Sequence, residues 1–121
     1  MKKKILLVDD ELDLHRIAKI SLEGFGYEVI ALTTGEEALD WLEKNIPDLI
    51  LLDLVLPKIQ GEEICQRLKS NDRLKHIPII LYSATCDISA KAKRACADDC
   101  MTRPFQSQDL LFKIKKLIGQ A

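Results

Sequence analysis

The fold of this chain is best predicted from the stretch Leu49-Ile50-Leu51-Leu52-Asp53-Leu54-Val55-Leu56, which is followed by Pro57. An aliphatic run of this kind predicts a strand that is buried on both faces, as at the centre of a parallel sheet. Asp53 is the exception within the run. A carboxylate is costly to bury as an anion unless something pairs with it. We therefore expect Asp53 to have a chemical partner.

A second apolar run ends in acids in the same way. Ile5-Leu6-Leu7-Val8 is followed directly by Asp9, Asp10 and Glu11. Two buried strands that each finish in carboxylates can bring those acids together at one edge of a sheet. This arrangement suggests a divalent-metal site and an aspartate that takes part in chemistry.

Strand and helix patterns alternate five times along the chain. Strands are predicted near residues 4–8, 27–32, 48–53, 77–82 and 100–102, and a helix-spaced apolar pattern follows each of them. Gly24 and Gly26 close the first helix, whose apolar positions are Leu14, Ile17, Ala18 and Leu22, and Thr34-Gly35 opens the second. This alternation predicts an α/β fold, a doubly wound five-stranded parallel sheet with five helices on its two faces. The length of 121 residues fits one domain over residues 1–121.

Composition excludes several classes of function. The net charge is −1 and the 31% of charged residues are interspersed, so we expect neither direct nucleic-acid binding nor membrane binding. No apolar stretch approaches the roughly 20 residues that span a bilayer, and the run after the N-terminal lysines is too short for a signal peptide. The expected compartment is the cytoplasm.

The predicted strand ends gather a distinctive set of polar residues. Asp9 and Asp10 follow the first strand, Asp53 ends the third, and Ser83 and Arg103 follow the fourth and fifth. In such sheets ligands bind at the carboxyl ends of strands. Converging carboxylates favour a cation, and Mg²⁺ suits a few carboxylates together with phosphate oxygens. A metal, a hydroxyl and a cationic side chain around one aspartate are typical of phosphoryl transfer, with Asp53 as the nucleophile.

Several segments resemble the receiver domain of two-component response regulators. In chain order they are Leu7-Val8-Asp9-Asp10-Glu11, Asp53-Leu54-Val55-Leu56-Pro57 with Gly61, Tyr82-Ser83-Ala84, Ala97-Asp98-Asp99 and Pro104-Phe105. Each segment is weak alone, but together, in this order and at predicted strand ends, they are highly specific. The resemblance covers the full length and implies the flavodoxin-like strand order 2-1-3-4-5.

The resemblance also implies a role for each site residue. Asp53 would accept a phosphoryl group from a histidine kinase or a phosphotransfer protein, in a phosphorelay that depends on Mg²⁺. Asp10, Asp53 and the backbone carbonyl of Val55 would ligate the metal, and Asp9 would act mainly through water. Ser83 would hydrogen-bond the phosphoryl group. Pro104 would follow a cis peptide bond.

The implied output is a signalling switch that phosphorylates and dephosphorylates itself and is not a turnover enzyme. Phosphorylation would alter the face formed by the fourth predicted helix, the fifth strand and the fifth helix, towards an unknown output protein or domain. The chain could be a stand-alone receiver or part of a longer protein. Two positions depart from the family pattern: Arg103 stands where lysine is usual, and Cys100 where an aromatic residue is frequent.

Other interpretations stay open at this point. The chain could be a receiver-like interaction module that works without phosphorylation, with Arg103 locking one state. Asp9 and Asp10 could cap the first helix, Asp53 could be a structural acid paired with Arg103, and Ser83 could be a turn serine. An aspartate-nucleophile phosphatase usually has a second aspartate two residues after the nucleophile, where this chain has Val55. Nucleotide-binding glycine motifs do not follow the first strand.

The remaining chemistry-bearing residues have ordinary interpretations. Cys65, Cys86, Cys96 and Cys100 are expected to be free thiols that serve as small hydrophobes, although a zinc or redox site is the alternative. His15 and His76 are predicted to be surface residues. Trp41 is predicted to be a packing residue of the second helix.

Overall fold

The protein is represented by a computed structural model that describes residues 2–83, 97–102 and 106–119. Helices and strands alternate along these ranges, as their apolar periodicities predict. The strands are β1 (Lys4–Val8), β2 (Glu28–Leu32), β3 (Leu49–Asp53), β4 (Ile79–Ser83) and β5 (Asp99–Thr102). The helices are α1 (Leu12–Gly24), α2 (Gly35–Leu42), α3 (Gly61–Lys69) and α4 (Ser107–Ile118).

All five strands are parallel and form one sheet in the order β2-β1-β3-β4-β5. The predicted doubly wound fold and strand order are confirmed. Helix α4 corresponds to the fifth predicted helix. The fourth predicted helix, which carries Ile88 and Ala92, lies outside the described residues.

The sheet separates two apolar cores because successive side chains of a strand point to opposite faces. Leu6 and Leu52 belong to the core that contains residues of α2 and α3. Leu7 and Leu51 belong to the other core, with residues of α1 and α4. Every residue of β3 is buried, which confirms that this strand is central. Asp53, its last residue, is therefore held at the edge of the interior.

Helix α2 begins at the predicted position with a complete capping box. The Thr34 hydroxyl accepts a hydrogen bond from the Glu37 backbone N–H at 3.1 Å, and the Glu37 carboxylate accepts from the Thr34 backbone N–H at 3.2 Å. Thr33 donates to the same carboxylate from its backbone N–H and its hydroxyl, at 3.0 and 2.9 Å. These hydrogen bonds, those of Thr33 first, hold the pKa of Glu37 below its usual value.

Two expectations about α1 are wrong. Ile17, predicted to face the core, is 62% exposed, whereas His15, predicted to be a surface residue, is only 8% exposed. The buried stripe of the helix contains His15, Ala18 and Leu22, at intervals of three and four residues. Ile17 lies outside that stripe, because a position one residue before Ala18 is rotated by about 100° around the helix.

No described helix has the length and apolar character needed to cross a membrane.

Candidate functional site

The acids at the ends of β1 and β3 converge, as the sequence predicts. One carboxylate oxygen each from Asp9, Asp10 and Asp53 lies within 4.8 Å of the others. The two strands are direct neighbours in the sheet, so their carboxyl ends lie side by side. Asp9 is fully buried and Asp53 is 6% exposed, whereas Asp10 is exposed towards solvent. The site therefore combines two buried acids with one that solvent reaches.

The chain after β3 orients Asp53. The Val55 backbone N–H donates to Asp53 Oδ1 at 3.1 Å. The Leu54 N–H continues the ladder to the carbonyl of Tyr82 at 2.8 Å, and the Leu54 carbonyl accepts from the Gly61 N–H at 2.9 Å. The loop between β3 and α3 therefore leads back to the carboxyl end of β3, next to Asp53.

Gly61 permits this close return. A Cβ atom at Gly61 would lie 2.2 Å from the carbonyl oxygen of Asp53 and 2.9 Å from the Cα of Leu54. Only a residue without a side chain lets the start of α3 approach the backbone this closely. Lys58, in the same loop, has a positive φ of 63°, which is uncommon for a residue other than glycine.

Asp9 receives hydrogen bonds from donors in different parts of the chain. The Glu11 backbone N–H donates to Asp9 Oδ1 at 2.8 Å, and the Tyr82 hydroxyl donates to Asp9 Oδ2 at 2.6 Å. Glu11 is the N-cap of α1 and makes no side-chain capping bond. Helix capping therefore does not account for the buried Asp9.

The Tyr82 contact was not predicted from the sequence. Its signal in the sequence is a phenol directly after three aliphatic residues of the strand, since a buried tyrosine hydroxyl usually has a hydrogen-bond partner. Tyr82 lies on β4, opposite Asp53 in the β3–β4 register, and Ser83 follows it as the last residue of the strand. Ser83 is 3% exposed. The sheet thus places Ser83 beside the acidic cluster at the same edge.

Other predicted site residues lie at the margin of this cluster or outside the described ranges. The Val55 side chain is 53% exposed next to Asp53. Arg103 and Pro104 lie outside the described residues. Cys100 is partly buried on β5 and packs against the core that contains residues of α2 and α3, and Cys65 is fully buried in that core. Neither forms a disulfide within the described part of the chain.

The donor set fits a hard divalent cation. Three carboxylates this close repel one another strongly, and a cation relieves that repulsion. Their oxygen atoms are the ligands that Mg²⁺ and Ca²⁺ prefer, and the exposed Asp10 leaves one side open to water or to a phosphate. The acidic cluster can therefore hold a metal ion.

Comparison with known proteins identifies the family. The profile of the response regulator receiver domain matches residues 5–115, nearly the whole chain. The chain belongs to this family. It is therefore a phosphoacceptor signalling domain of the two-component type, with the acidic pocket at the carboxyl edge of its sheet.

The similar proteins include a transcriptional regulator and other receiver domains of known structure. It is 38% identical over 123 residues to the alkaline phosphatase synthesis transcriptional regulatory protein PhoP of Bacillus subtilis, covering 100% of this chain and 50% of that protein. A response regulator structure from Chloroflexus aurantiacus is 34% identical, with a TM-score of 0.93 and coverage of 99% and 100% of the two chains.

A third similar structure comes from a different protein context. It is the signal receiver domain of a signal transduction histidine kinase from Syntrophus aciditrophicus, 30% identical, with a TM-score of 0.91 and coverage of 96% of this chain and 89% of that one. This receiver domain spans about half the length of the curated relatives that it matches.

Proposed function

We propose that this receiver domain accepts a phosphoryl group on Asp53 from the phosphohistidine of a histidine kinase or a phosphotransfer protein, with Mg²⁺ bound beside it. The convergence of Asp9, Asp10 and Asp53 within 4.8 Å carries the proposal. A carboxylate oxygen of Asp53 forms the new bond to phosphorus while the bond from phosphorus to the histidine nitrogen breaks. The products are an aspartyl phosphate and a free histidine.

Each neighbouring residue has a part in that transfer. The Val55 N–H holds one oxygen of Asp53, which fixes the plane of the nucleophile before the donor arrives. Asp10, Asp53 and the Val55 carbonyl would hold the metal directly, and Asp9 through water. The bound Mg²⁺ supplies positive charge against the phosphoryl oxygens. Ser83 donates a hydrogen bond to the phosphoryl group, and Arg103 contributes a permanent positive charge.

The same proposal extends to the output. The domain works as a switch that phosphorylates and dephosphorylates itself, not as a turnover enzyme, in the cytoplasm and without binding nucleic acid directly. Phosphorylation alters the face formed by the fourth predicted helix, β5 and α4, which an output protein or domain recognises. We also propose that residues 1–121 form a single receiver unit.

Labelling with a small acyl phosphate tests the phosphoacceptor. Wild-type protein incubated with acetyl phosphate and Mg²⁺ should gain the mass of one phosphoryl group, and EDTA should prevent the gain. Asp53→Asn should abolish labelling because the nucleophile is removed. Asp48→Asn is the matched control, since Asp48 is exposed immediately before the opposite end of β3 and accepts the Lys4 N–H there. Undiminished labelling of Asp53→Asn would refute the assignment.

The variant Arg103→Lys separates phosphorylation from the alternative of a phosphorylation-independent module. Under our proposal, the wild type is labelled and Arg103→Lys changes only the rate or the lifetime of the phosphoryl group. If wild type fails to label and Arg103→Lys is labelled, the arginine has disabled the site. The module interpretation would then hold.

A further inference from the structure

Tyr82 connects the metal-binding acids to the fourth strand. Its ring is 1% exposed and lies in the core that contains Ala18, Leu22 and Leu110 of α1 and α4. Packing on this scale holds the ring in one orientation. Its hydroxyl reaches Asp9 Oδ2 at 2.6 Å, although the two residues are 73 positions apart in the sequence. A rigid side chain of β4 therefore determines where the carboxylate that follows β1 lies.

The hydrogen bond compensates a charge that bulk solvent does not reach. Asp9 has no exposed surface, so it depends on protein donors or on a cation for its stabilisation as an anion. The distance of 2.6 Å is typical of a hydroxyl that donates to an ionised carboxylate. Together with the Glu11 N–H at 2.8 Å, the phenol gives each Asp9 oxygen a donor before any metal is present.

We propose that Tyr82 is a positioning residue that lowers the affinity of the acidic cluster for Mg²⁺, because it stabilises Asp9 in the metal-free state. This inference rests on the metal site of the proposed function and adds a residue that sets its strength. Without the phenol, the metal-free protein would contain a less compensated buried anion. Binding of the cation would then compensate the buried anion of Asp9, in addition to the attraction between the cation and its carboxylate ligands.

A thermodynamic cycle gives the direction of the effect. Removing the hydroxyl destabilises the metal-free protein more than the metal-bound protein, where the cation also compensates Asp9. The difference between these two costs equals the change in binding free energy, so Tyr82→Phe should bind Mg²⁺ more tightly. A hydrogen bond to a charged group contributes more than a factor of ten to an equilibrium constant, and the metal-bound protein also bears part of the cost of losing it. The remaining difference corresponds to about tenfold in affinity.

Two measurements at one fixed pH and ionic strength test the inference. Calorimetric titration with MgCl₂ should give a dissociation constant about tenfold lower for Tyr82→Phe than for wild type. The urea midpoint of Tyr82→Phe should lie below that of wild type in EDTA, and saturating Mg²⁺ should narrow this gap. Neither measurement depends on phosphorylation.

Tyr27→Phe is the matched control. Tyr27 is also 1% exposed and belongs to the same core, but its hydroxyl donates to the Gly119 carbonyl at 2.9 Å, near the amino edge of the sheet. This variant should lower the urea midpoint by an amount that Mg²⁺ does not change, and its Mg²⁺ affinity should equal that of wild type.

The outcomes separate this inference from the proposed function. Wild-type protein that binds no Mg²⁺ would overturn the metal site and this inference with it. Wild-type binding together with unchanged or weaker binding by Tyr82→Phe would overturn the role of Tyr82 alone. A Tyr27→Phe variant that also bound Mg²⁺ more tightly would overturn it too, because the effect would then follow from general loosening of the core.

Discussion

At the scale of single residues, the acceptor site depends on backbone that other residues hold in place. Asp53 ends a fully buried strand, and its carboxylate receives the Val55 N–H. At Gly61 the start of α3 contacts the same backbone so closely that no space is left for a Cβ atom. No charge or hydroxyl is needed for this effect, since the absence of a side chain at Gly61 lets the start of α3 contact the end of β3.

Gly61→Ala should therefore damage both stability and phosphorylation. The added methyl group would overlap backbone that cannot rotate away, so we expect a loss of about 2–3 kcal/mol in the free energy of unfolding. Displacement of Asp53 should also slow labelling by acetyl phosphate. Urea unfolding and the time course of the mass gain measure the two effects.

Gly24→Ala is the control for that substitution. Gly24 ends α1, and nothing lies within 4 Å of the position of its Cβ. The free energy of unfolding should stay the same or rise slightly, because alanine favours a helix more than glycine does. A Gly61→Ala protein as stable as the wild type would show that α3 can move without cost.

At the scale of elements, the start of α2 shows how local sequence produces local structure. Thr34 and Glu37 exchange hydrogen bonds within a single turn, and Thr33 adds two more to the same carboxylate. No distant residue is needed for this arrangement, which is why the sequence predicted the helix start correctly. The lowered pKa of Glu37 follows from those donors.

Because of the capping box, the free energy of unfolding should decrease at acidic pH. Because the folded-state pKa of Glu37 is lowered, its contribution is present above the unfolded-state pKa and is lost as pH falls through the folded-state pKa. Glu37→Gln should reduce stability at neutral pH and make the acid dependence less steep. Urea unfolding from neutral pH to about pH 3 measures both effects.

Two further variants delimit this prediction. Thr34→Ala removes the hydroxyl acceptor and should lower the free energy of unfolding by about 1 kcal/mol. Glu43→Gln, at the C-cap of the same helix, is the matched control: it leaves every hydrogen bond of Glu37 in place, so the acid dependence that Glu37 contributes should remain. An unaltered pH dependence in Glu37→Gln would contradict the proposed contribution of the capping box.

At the level of the whole molecule, two hydrogen bonds attach the carboxyl end of α4 to the residues directly before β1 and β2. The Tyr27 hydroxyl donates to the Gly119 carbonyl, and the Lys3 ammonium donates to the Ile118 carbonyl. Both acceptors lie at the carboxyl end of α4, where cations and donors satisfy carbonyls that lack partners within the helix. Helix α4 is thus held at its end as well as by Leu110 and Ile114 in the core.

Tyr27 should make this attachment sensitive to alkali. Burial raises its pKa above the usual 10.0, so its contribution is complete below that value and is lost as pH rises through the folded-state pKa. Tyr27→Phe should cost about 1 kcal/mol near pH 8 and make the alkaline loss of stability less steep. Urea unfolding near pH 8 and pH 11 checks this, and an unchanged stability near pH 8 would refute the attachment.

The features that were predicted correctly are those that depend on apolar periodicity or on position along the chain. The aliphatic runs, the acids that follow them and the Thr34 cap are local features. They allowed prediction of the strands, of the resemblance to receiver domains and of the sheet edge at which Asp9, Asp10 and Asp53 converge. The prediction of the buried face of α1 was wrong, because Ile17 is exposed and His15 is buried. A short helix with apolar residues on more than one side does not specify by itself which side meets the sheet.

The α/β alternation, the central position of β3 and the acids at the strand ends all follow from the amino-acid sequence, because each depends on a repeat or a neighbour along the chain. The hydrogen bond from Tyr82 to Asp9 and the contact of Gly61 with the backbone of Asp53 arise from tertiary packing. Both contacts depend on the register of β1, β3 and β4 and on how closely α3 approaches them. Those distances arise when the whole sheet and its helices pack together.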